Sequence, residues 1–172
     1  AKEKNNANPL AFMIKALSET LKEFPIFNSS LIENDQIVLK EYINIGIAVD
    51  TEEGLVVPVI QDADKLSLEE ISAKVKELAE KARDKKLLNT DIKNRTITIS
   101  SLGKLGGIGF TPIINPPDVA IISMSKTYKR LVLAEELDIM PIAMSYDHRV
   151  INGADAGRFM VFLKNILDNF ND

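Results

Sequence analysis

The sequence contains no cysteine, and it has a single histidine, His148, among its 172 residues. Without cysteine, the chain forms no disulfide and offers no thiolate ligand to a metal ion. One histidine also excludes a zinc site built from several histidine ligands. The acidic residues show no clustering with the spacing of metal ligands, so the sequence predicts a protein without a bound metal.

A surplus of positive charge and a long apolar run are also missing. The formal net charge is −4, which argues against a broad positive surface for nucleic acid. No apolar run is long enough for a membrane-spanning helix, and no N-terminal stretch reads as a signal peptide. With 45% hydrophobic residues, a chain of this length can build the core of one domain, which we expect to span residues 1–172.

Three segments repeat apolar residues at helical spacing. The first begins at Pro9 and ends before Pro25, and the second follows a capping box that starts at Ser67. The third begins near Asn152 or Asp155, either of which can cap it. Each segment has one apolar side, so we expect the three helices to pack on a sheet.

Strand-like runs rich in isoleucine and valine lie between these segments. Predicted strands cover residues 37–42, 43–50, 55–60, 96–101 and 119–125, and residues 131–134 and 139–146 are predicted to pair as a hairpin. Residues 26–31 are interpreted as a packed turn. Gly46 and Pro58 interrupt two strands, which indicates a bulge, an edge or a close backbone approach. Because strands and helices do not alternate strictly, the sequence predicts an α+β fold with a mixed, largely antiparallel sheet.

A glycine-rich loop follows the predicted strand at residues 96–101. It runs from Gly103 to Gly109 and lacks the Gly-Lys-Ser/Thr ending of a phosphate-binding loop. No helical pattern follows to supply an N-terminus for a phosphate. The glycines are therefore predicted to allow a sharp turn or a close approach to a ligand.

His148 lies where a strand-like run meets the last helix, beside Asp147, Arg149 and Asn152. Histidine is the side-chain type whose ordinary pKa lies near neutral pH, which makes His148 the first candidate for a general base. A structural histidine is the alternative interpretation. A single base, with neither thiol nor metal, suits an acyl transfer in which a substrate brings its own nucleophile.

Residues Ser145–Gly153, which read Ser-Tyr-Asp-His-Arg-Val-Ile-Asn-Gly, resemble the active-site signature of the dihydrolipoamide acyltransferases. Further segments resemble the same family in the same order, at residues 24–28, 44–58, 96–103 and 110–117. These enzymes form the cores of 2-oxo acid dehydrogenase complexes. The resemblance implies a two-layer sandwich like that of chloramphenicol acetyltransferase.

The resemblance also implies a mechanism. His148 would remove the proton of the coenzyme A thiol, a transfer that costs about 3 kcal/mol between ordinary pKa values of about 8.5 and 6.5. The thiolate would attack acetyl-dihydrolipoamide, and Ser100 would donate to the oxyanion. Asn152 would orient the histidine loop. Many members of the family have aspartate at this position, whereas asparagine occurs there in the pyruvate-type branch.

Alternatives remain for several of these residues. Ser100 is otherwise a turn residue, as serine often is at a strand end. Ser101 faces the opposite side of the strand, so only one of the two serines can reach the site. Asp147 and Arg149 are interpreted as a structural ion pair.

The resemblance implies a homotrimer in which His148 faces Ser100 of a neighbour, inside a larger cubic or dodecahedral core. Coenzyme A and the lipoyl group would be substrates. Partners would be lipoyl domains, the decarboxylase and dihydrolipoamide dehydrogenase. We expect a bacterial cytoplasmic location rather than the mitochondrial matrix. The chain is expected to begin after a coenzyme A-binding segment, without lipoyl or subunit-binding domains.

Two other function classes remain open. A non-catalytic structural core would assemble without turning over substrate. A free-standing acyltransferase for a small molecule, like chloramphenicol acetyltransferase, would act outside any multienzyme complex.

Overall fold

The computed structural model describes residues 8–103, 107–133 and 135–170. The helices are α1 (Pro9–Glu23), α2 (Leu68–Arg83) and α3 (Gly153–Asp168). The strands are β1 (Ser29–Ile32), β2 (Gln36–Leu39), β3 (Ile45–Ile47), β4 (Val49–Thr51), β5 (Gly54–Val56), β6 (Val59–Ile60), β7 (Ile97–Ser101), β8 (Ala120–Met124), β9 (Tyr128–Val132), β10 (Glu135–Ile139) and β11 (Ile142–Tyr146).

A five-stranded sheet in the order β11-β8-β7-β3-β6 carries the core. The inner pairs β8–β7 and β7–β3 are parallel, and the outer pairs β11–β8 and β3–β6 are antiparallel. Three two-stranded antiparallel ribbons flank the sheet, formed by β1–β2, β4–β5 and β9–β10. The predicted mixed, largely antiparallel sheet is therefore confirmed.

The three helices pack on one side of this sheet. Alternate strand residues such as Ile45, Ile97, Ile99 and Ile122 are buried in a single cluster with the apolar sides of the helices. This side is called the helix face. Side chains alternate along a strand, so the remaining strand residues point to the opposite side of the sheet, which we call the outer face. The outer face carries Gly46, Thr98, Ser100, Ser123 and Ser145.

The predicted helix boundaries agree with the structure. Asn8 caps α1 and Pro9 opens it, while the capping box of Ser67 and Glu70 begins α2. None of the helices in the described part of the chain is long and apolar enough to cross a membrane.

Of the bulge, the edge and the close approach predicted for an interrupted strand, the structure shows a close approach at Gly46. It lies inside β3, and an added Cβ would be 2.5 Å from Cδ of Arg95 and 2.8 Å from Cγ1 of Val57. The glycine is therefore the site of a close approach by side chains on the outer face.

The predicted hairpin between residues 131–134 and 139–146 is wrong. Strand β9 instead turns at Leu133 and pairs with β10, while β11 crosses to pair with β8. Ala134 lies outside the described residues. Residues 135–138 form strand rather than turn, and Glu136 forms an ion pair with Lys129 of β9. Pro141 then separates β10 from β11.

The packed turn predicted at residues 26–31 is only partly correct. Residues Pro25–Asn28 form one turn of 3-10 helix, but Ser29–Ile32 is strand β1 and pairs with β2. The two serines at its start obscure the strand pattern, although both are buried.

Candidate active site

Ser100 lies near the end of β7, half-buried on the outer face. Its register partner is Ser123 of β8, so the two side chains lie next to each other on the same face. Ser101 is exposed and lines a small cavity on the helix face with Pro9 and Leu10. The two consecutive serines thus face opposite sides, as strand alternation requires.

Two further serines on the outer face hold the segment that follows the glycine-rich loop. Ser123 Oγ donates to the carbonyl oxygen of Phe110 at 3.1 Å, and Ser145 Oγ donates to that of Pro112 at 2.6 Å. The proline-rich segment therefore lies over the outer face beside Ser100. Sequence patterns missed this role, because a serine inside a strand carries no signal for a long-range partner.

The glycine-rich loop turns as predicted where it is described. Gly103 and Gly107 have φ of +48° and +83°, which favour glycine, and Gly106 lies outside the described residues.

His148 is exposed in a tight turn directly after β11. The N–H of Asp147 donates to Val119 at 2.8 Å, and the Asp147 carbonyl accepts from the N–H groups of Val150 and Ile151 at 3.0 Å each. Ile151 is buried in the core and anchors the far end of the turn. The ring of His148 lies 5.6 Å from that of Tyr146, between centroids. A fixed turn thus presents an exposed imidazole.

Asp147 and Arg149 form the expected ion pair. Arg149 Nη2 lies 2.6 Å from Asp147 Oδ2, and the Arg149 N–H donates to Asp147 Oδ1 at 3.0 Å. The hydrogen bonds from Arg149 hold the pKa of the Asp147 carboxyl below its ordinary value. The carboxylate is therefore occupied in closing the turn around His148.

Asn152, rather than Asp155, caps α3. Its Oδ1 accepts from the N–H of Asp155 at 2.9 Å, and its Nδ2 donates to the Asp155 carboxylate. The side chain thus fixes the start of α3 four residues after His148.

Within one chain, Ser100 and the strand residue that leads to His148 lie in different rows of the sheet. Ser100 shares its row in the sheet with Ser123 and Ala143, whereas Tyr146 lies in the row of Ala120. Ser100 and Tyr146 are two strands apart in the sheet and three residues apart along the strand direction. Their Cα atoms are therefore about 14 Å from each other. His148 follows Tyr146 by two residues, in the turn after β11.

No cluster of three or more acidic or histidine side chains placed to hold a metal ion occurs within residues 8–103, 107–133 and 135–170.

Comparison with known proteins shows which family this geometry serves. The family model described as 2-oxoacid dehydrogenases acyltransferase (catalytic domain) matches residues 1–172. The chain belongs to this acyltransferase family. It is 51% identical over 166 residues to the dihydrolipoyllysine-residue acetyltransferase component of the pyruvate dehydrogenase complex of Cupriavidus necator. That match covers 94% of this chain but only 30% of the relative, so the chain spans less than a third of that protein.

Solved structures of family members superpose closely on the chain. Dihydrolipoamide acetyltransferase of Azotobacter vinelandii, studied for the role of a serine, a histidine and an asparagine in its catalytic mechanism, matches with a TM-score of 0.93 at 44% identity. The cubic core of the pyruvate dehydrogenase multienzyme complex matches with a TM-score of 0.93 at 45% identity. Each match covers 98% of this chain and 72% of the solved chain.

The expected fold is confirmed by a more distant structure. Chloramphenicol acetyltransferase superposes with a TM-score of 0.63 at 15% identity, over 92% of this chain and 77% of that chain. At this identity the likeness shows the fold alone.

Proposed function

We propose that this acyltransferase-family chain transfers an acetyl group between dihydrolipoamide and coenzyme A, as part of a pyruvate dehydrogenase complex. The observation that carries the proposal is the exposed His148 in a turn closed by the Asp147–Arg149 pair and by the Asn152 cap. Ser100, His148 and Asn152 occur in the same order as the serine, histidine and asparagine studied in the Azotobacter vinelandii enzyme.

In this reaction His148 removes the proton from the coenzyme A thiol, and the sulfur attacks the acetyl carbon of acetyl-dihydrolipoamide. The Ser100 hydroxyl donates a hydrogen bond to the oxyanion of the tetrahedral intermediate. The intermediate collapses as the bond to the lipoyl sulfur breaks, and His148 returns the proton to that sulfur. Asn152 keeps the turn that carries His148 in place.

The separation of Ser100 and His148 supports an oligomeric enzyme. The active unit is a homotrimer in which His148 of one chain meets Ser100 of the next, within a larger core such as the cubic one of the relative. Lipoyl domains, the decarboxylase and dihydrolipoamide dehydrogenase are the partners. Residues 1–172 act as one catalytic domain, in keeping with the single core cluster, and the bacterial relatives favour a cytoplasmic location.

The test is acetyl transfer from acetyl-coenzyme A to dihydrolipoamide, with His148→Ala and Ser100→Ala beside the unchanged chain. We expect His148→Ala to remove nearly all activity, and Ser100→Ala to lower kcat by about 100- to 1,000-fold through loss of an oxyanion donor. Equal rates of acetyl transfer by His148→Ala and the unchanged chain would contradict the mechanism. An inactive but trimeric unchanged chain would favour a structural scaffold instead.

A further inference from the structure

A buried ion pair between Arg95 and Asp118 lies on the outer face, outside the proposed chemistry. The Asp118 side chain is fully buried and that of Arg95 is 12% exposed. Asp118 Oδ2 accepts from Arg95 Nε at 2.8 Å and from Thr98 Oγ1 at 2.7 Å. Burying two charged groups costs desolvation free energy even when they are paired, so we expect this ion pair to have a structural role.

The pair ties the start of β7 to the end of the proline loop, which we define as Phe110–Asp118. Arg95 Nη2 donates to the carbonyl oxygens of Asn115 at 3.0 Å and Pro116 at 3.3 Å. The N–H of Asp118 donates to Asn115 at 3.2 Å. One guanidinium group therefore holds both the Asp118 carboxylate and the backbone that leads to it.

The other end of the proline loop is held beside Ser100. The carbonyl oxygens of Phe110 and Pro112 accept from Ser123 and Ser145, and Ser123 is the register partner of Ser100. The proline loop is thus fixed at both ends across the face on which Ser100 lies.

The same pair also borders the histidine turn. Thr98, which donates to Asp118, lies two residues before Ser100 on the same face of β7. Val119, which follows Asp118, accepts from the N–H of Asp147. Asp118 therefore contacts the strand of Ser100 directly, and it is linked to the turn of His148 through the following residue, Val119.

Burial disfavours the charged forms of the groups in and around this pair. Burial raises the pKa of the Asp118 carboxyl above its ordinary value, against the hydrogen bonds from Thr98 and Arg95. Burial likewise lowers the pKa of Lys40, whose ammonium donates to the Arg95 carbonyl oxygen at 3.1 Å. Asp118 Oδ1 is buried and has no partner among the described residues. An apolar pair would avoid these costs but could not hold the carbonyl groups of Asn115 and Pro116.

We infer that Arg95 and Asp118 are positioning residues of the acyltransferase site: they fix the proline loop as a wall beside the Ser100 hydroxyl. The inference rests on the proposed function. A displaced wall leaves the acyl carbonyl poorly oriented toward the Ser100 donor, and misplacement by about 1 Å can cost about 100-fold in rate.

The test replaces both charges at once, as Arg95→Met with Asp118→Leu, so that neither is left buried alone. We expect an unchanged assembly state, kcat lowered at least about tenfold with KM for coenzyme A within about threefold, and faster amide hydrogen exchange at residues 110–118. Lys86→Met with Asp84→Leu removes an exposed pair at the end of α2 and serves as the control, with kcat and loop exchange unchanged.

The single change Asp118→Asn keeps the shape of the side chain and covers the case in which the double variant does not fold. It should show the same kcat loss and loop exchange in milder form. A kcat within twofold of the unchanged chain, or loop exchange that does not rise, would overturn the inference. An unchanged chain without acetyl transfer would defeat the proposed function, whereas unaltered loop exchange in the variants would defeat the inference by itself.

Discussion

At the scale of single residues, the candidate site depends on small side chains as much as on His148. Ser100, Ser123 and Ser145 are small residues on the outer face, and the hydroxyl groups of Ser123 and Ser145 donate to backbone carbonyls. Gly46 belongs to the same face and leaves space for Arg95 to cross β3. The Arg95–Asp118 pair therefore requires the absence of a side chain at position 46.

Gly46→Ala should destabilise the protein by about 1–3 kcal/mol, because the added methyl group overlaps Arg95 Cδ and Val57 Cγ1. Chemical denaturation measures the effect. Gly157→Ala is the matched control: position 157 lies in α3 with no atom within 4 Å of an added Cβ, so we expect stability raised by up to about 1 kcal/mol. In an Arg95→Ala background the penalty at position 46 should shrink, and an unchanged penalty would show that the two residues are not coupled.

At the scale of elements, α3 joins the site to the core. Its first residue follows the Asn152 cap, and its buried side packs through Phe159 against the segment after α1. The Phe159 ring is fully buried and stacks on Phe27 with centroids 4.1 Å apart, while Phe24 meets it edge-on at 5.7 Å. The position of the histidine turn therefore depends on packing ten or more residues away.

Phe159→Ala should lower the free energy of unfolding by about 3–5 kcal/mol, through lost burial and a cavity that Phe27 cannot fill. Asn165→Ala, an exposed change in the same helix, should stay within about 0.5 kcal/mol of the unchanged chain. Thermal or denaturant unfolding of both variants provides the comparison. Similar losses for the two changes would contradict the assigned packing of α3.

At the scale of the whole molecule, the proposed mechanism depends on assembly into an oligomer. Ser100 and Tyr146 lie in different rows of the sheet, which supports the proposal that His148 acts with Ser100 of a neighbouring chain. In a cyclic trimer every interface is the same, so each contains one His148 and one Ser100 from different chains.

Mixed assemblies test this arrangement. Chains with His148→Ala and chains with Ser100→Ala should each be nearly inactive alone. After unfolding and joint refolding in equal amounts, random trimers should regain about one quarter of the unchanged activity, because one interface in four then joins an intact His148 to an intact Ser100. A mixture no more active than its components would show that both residues act within one chain.

Local patterns in the sequence determined much of this protein. The helix ends at Pro9 and Ser67, the strand that carries Ser100 and the alternation that separates it from Ser101 depend on neighbouring residues, and the structure agrees with each. His148 and the residues around it, through their family resemblance, also indicate the acyltransferase family without reference to the fold.

Long-range contacts were decided only by the tertiary structure. The partner of β11 is β8 rather than β10, which precedes it in the chain. Arg95 and Asp118 are 23 residues apart in the sequence, and no local pattern around either residue predicts a buried ion pair. Sequence periodicity reports which side of an element is apolar, whereas the pairing of polar groups on the opposite side depends on where the folded chain brings them.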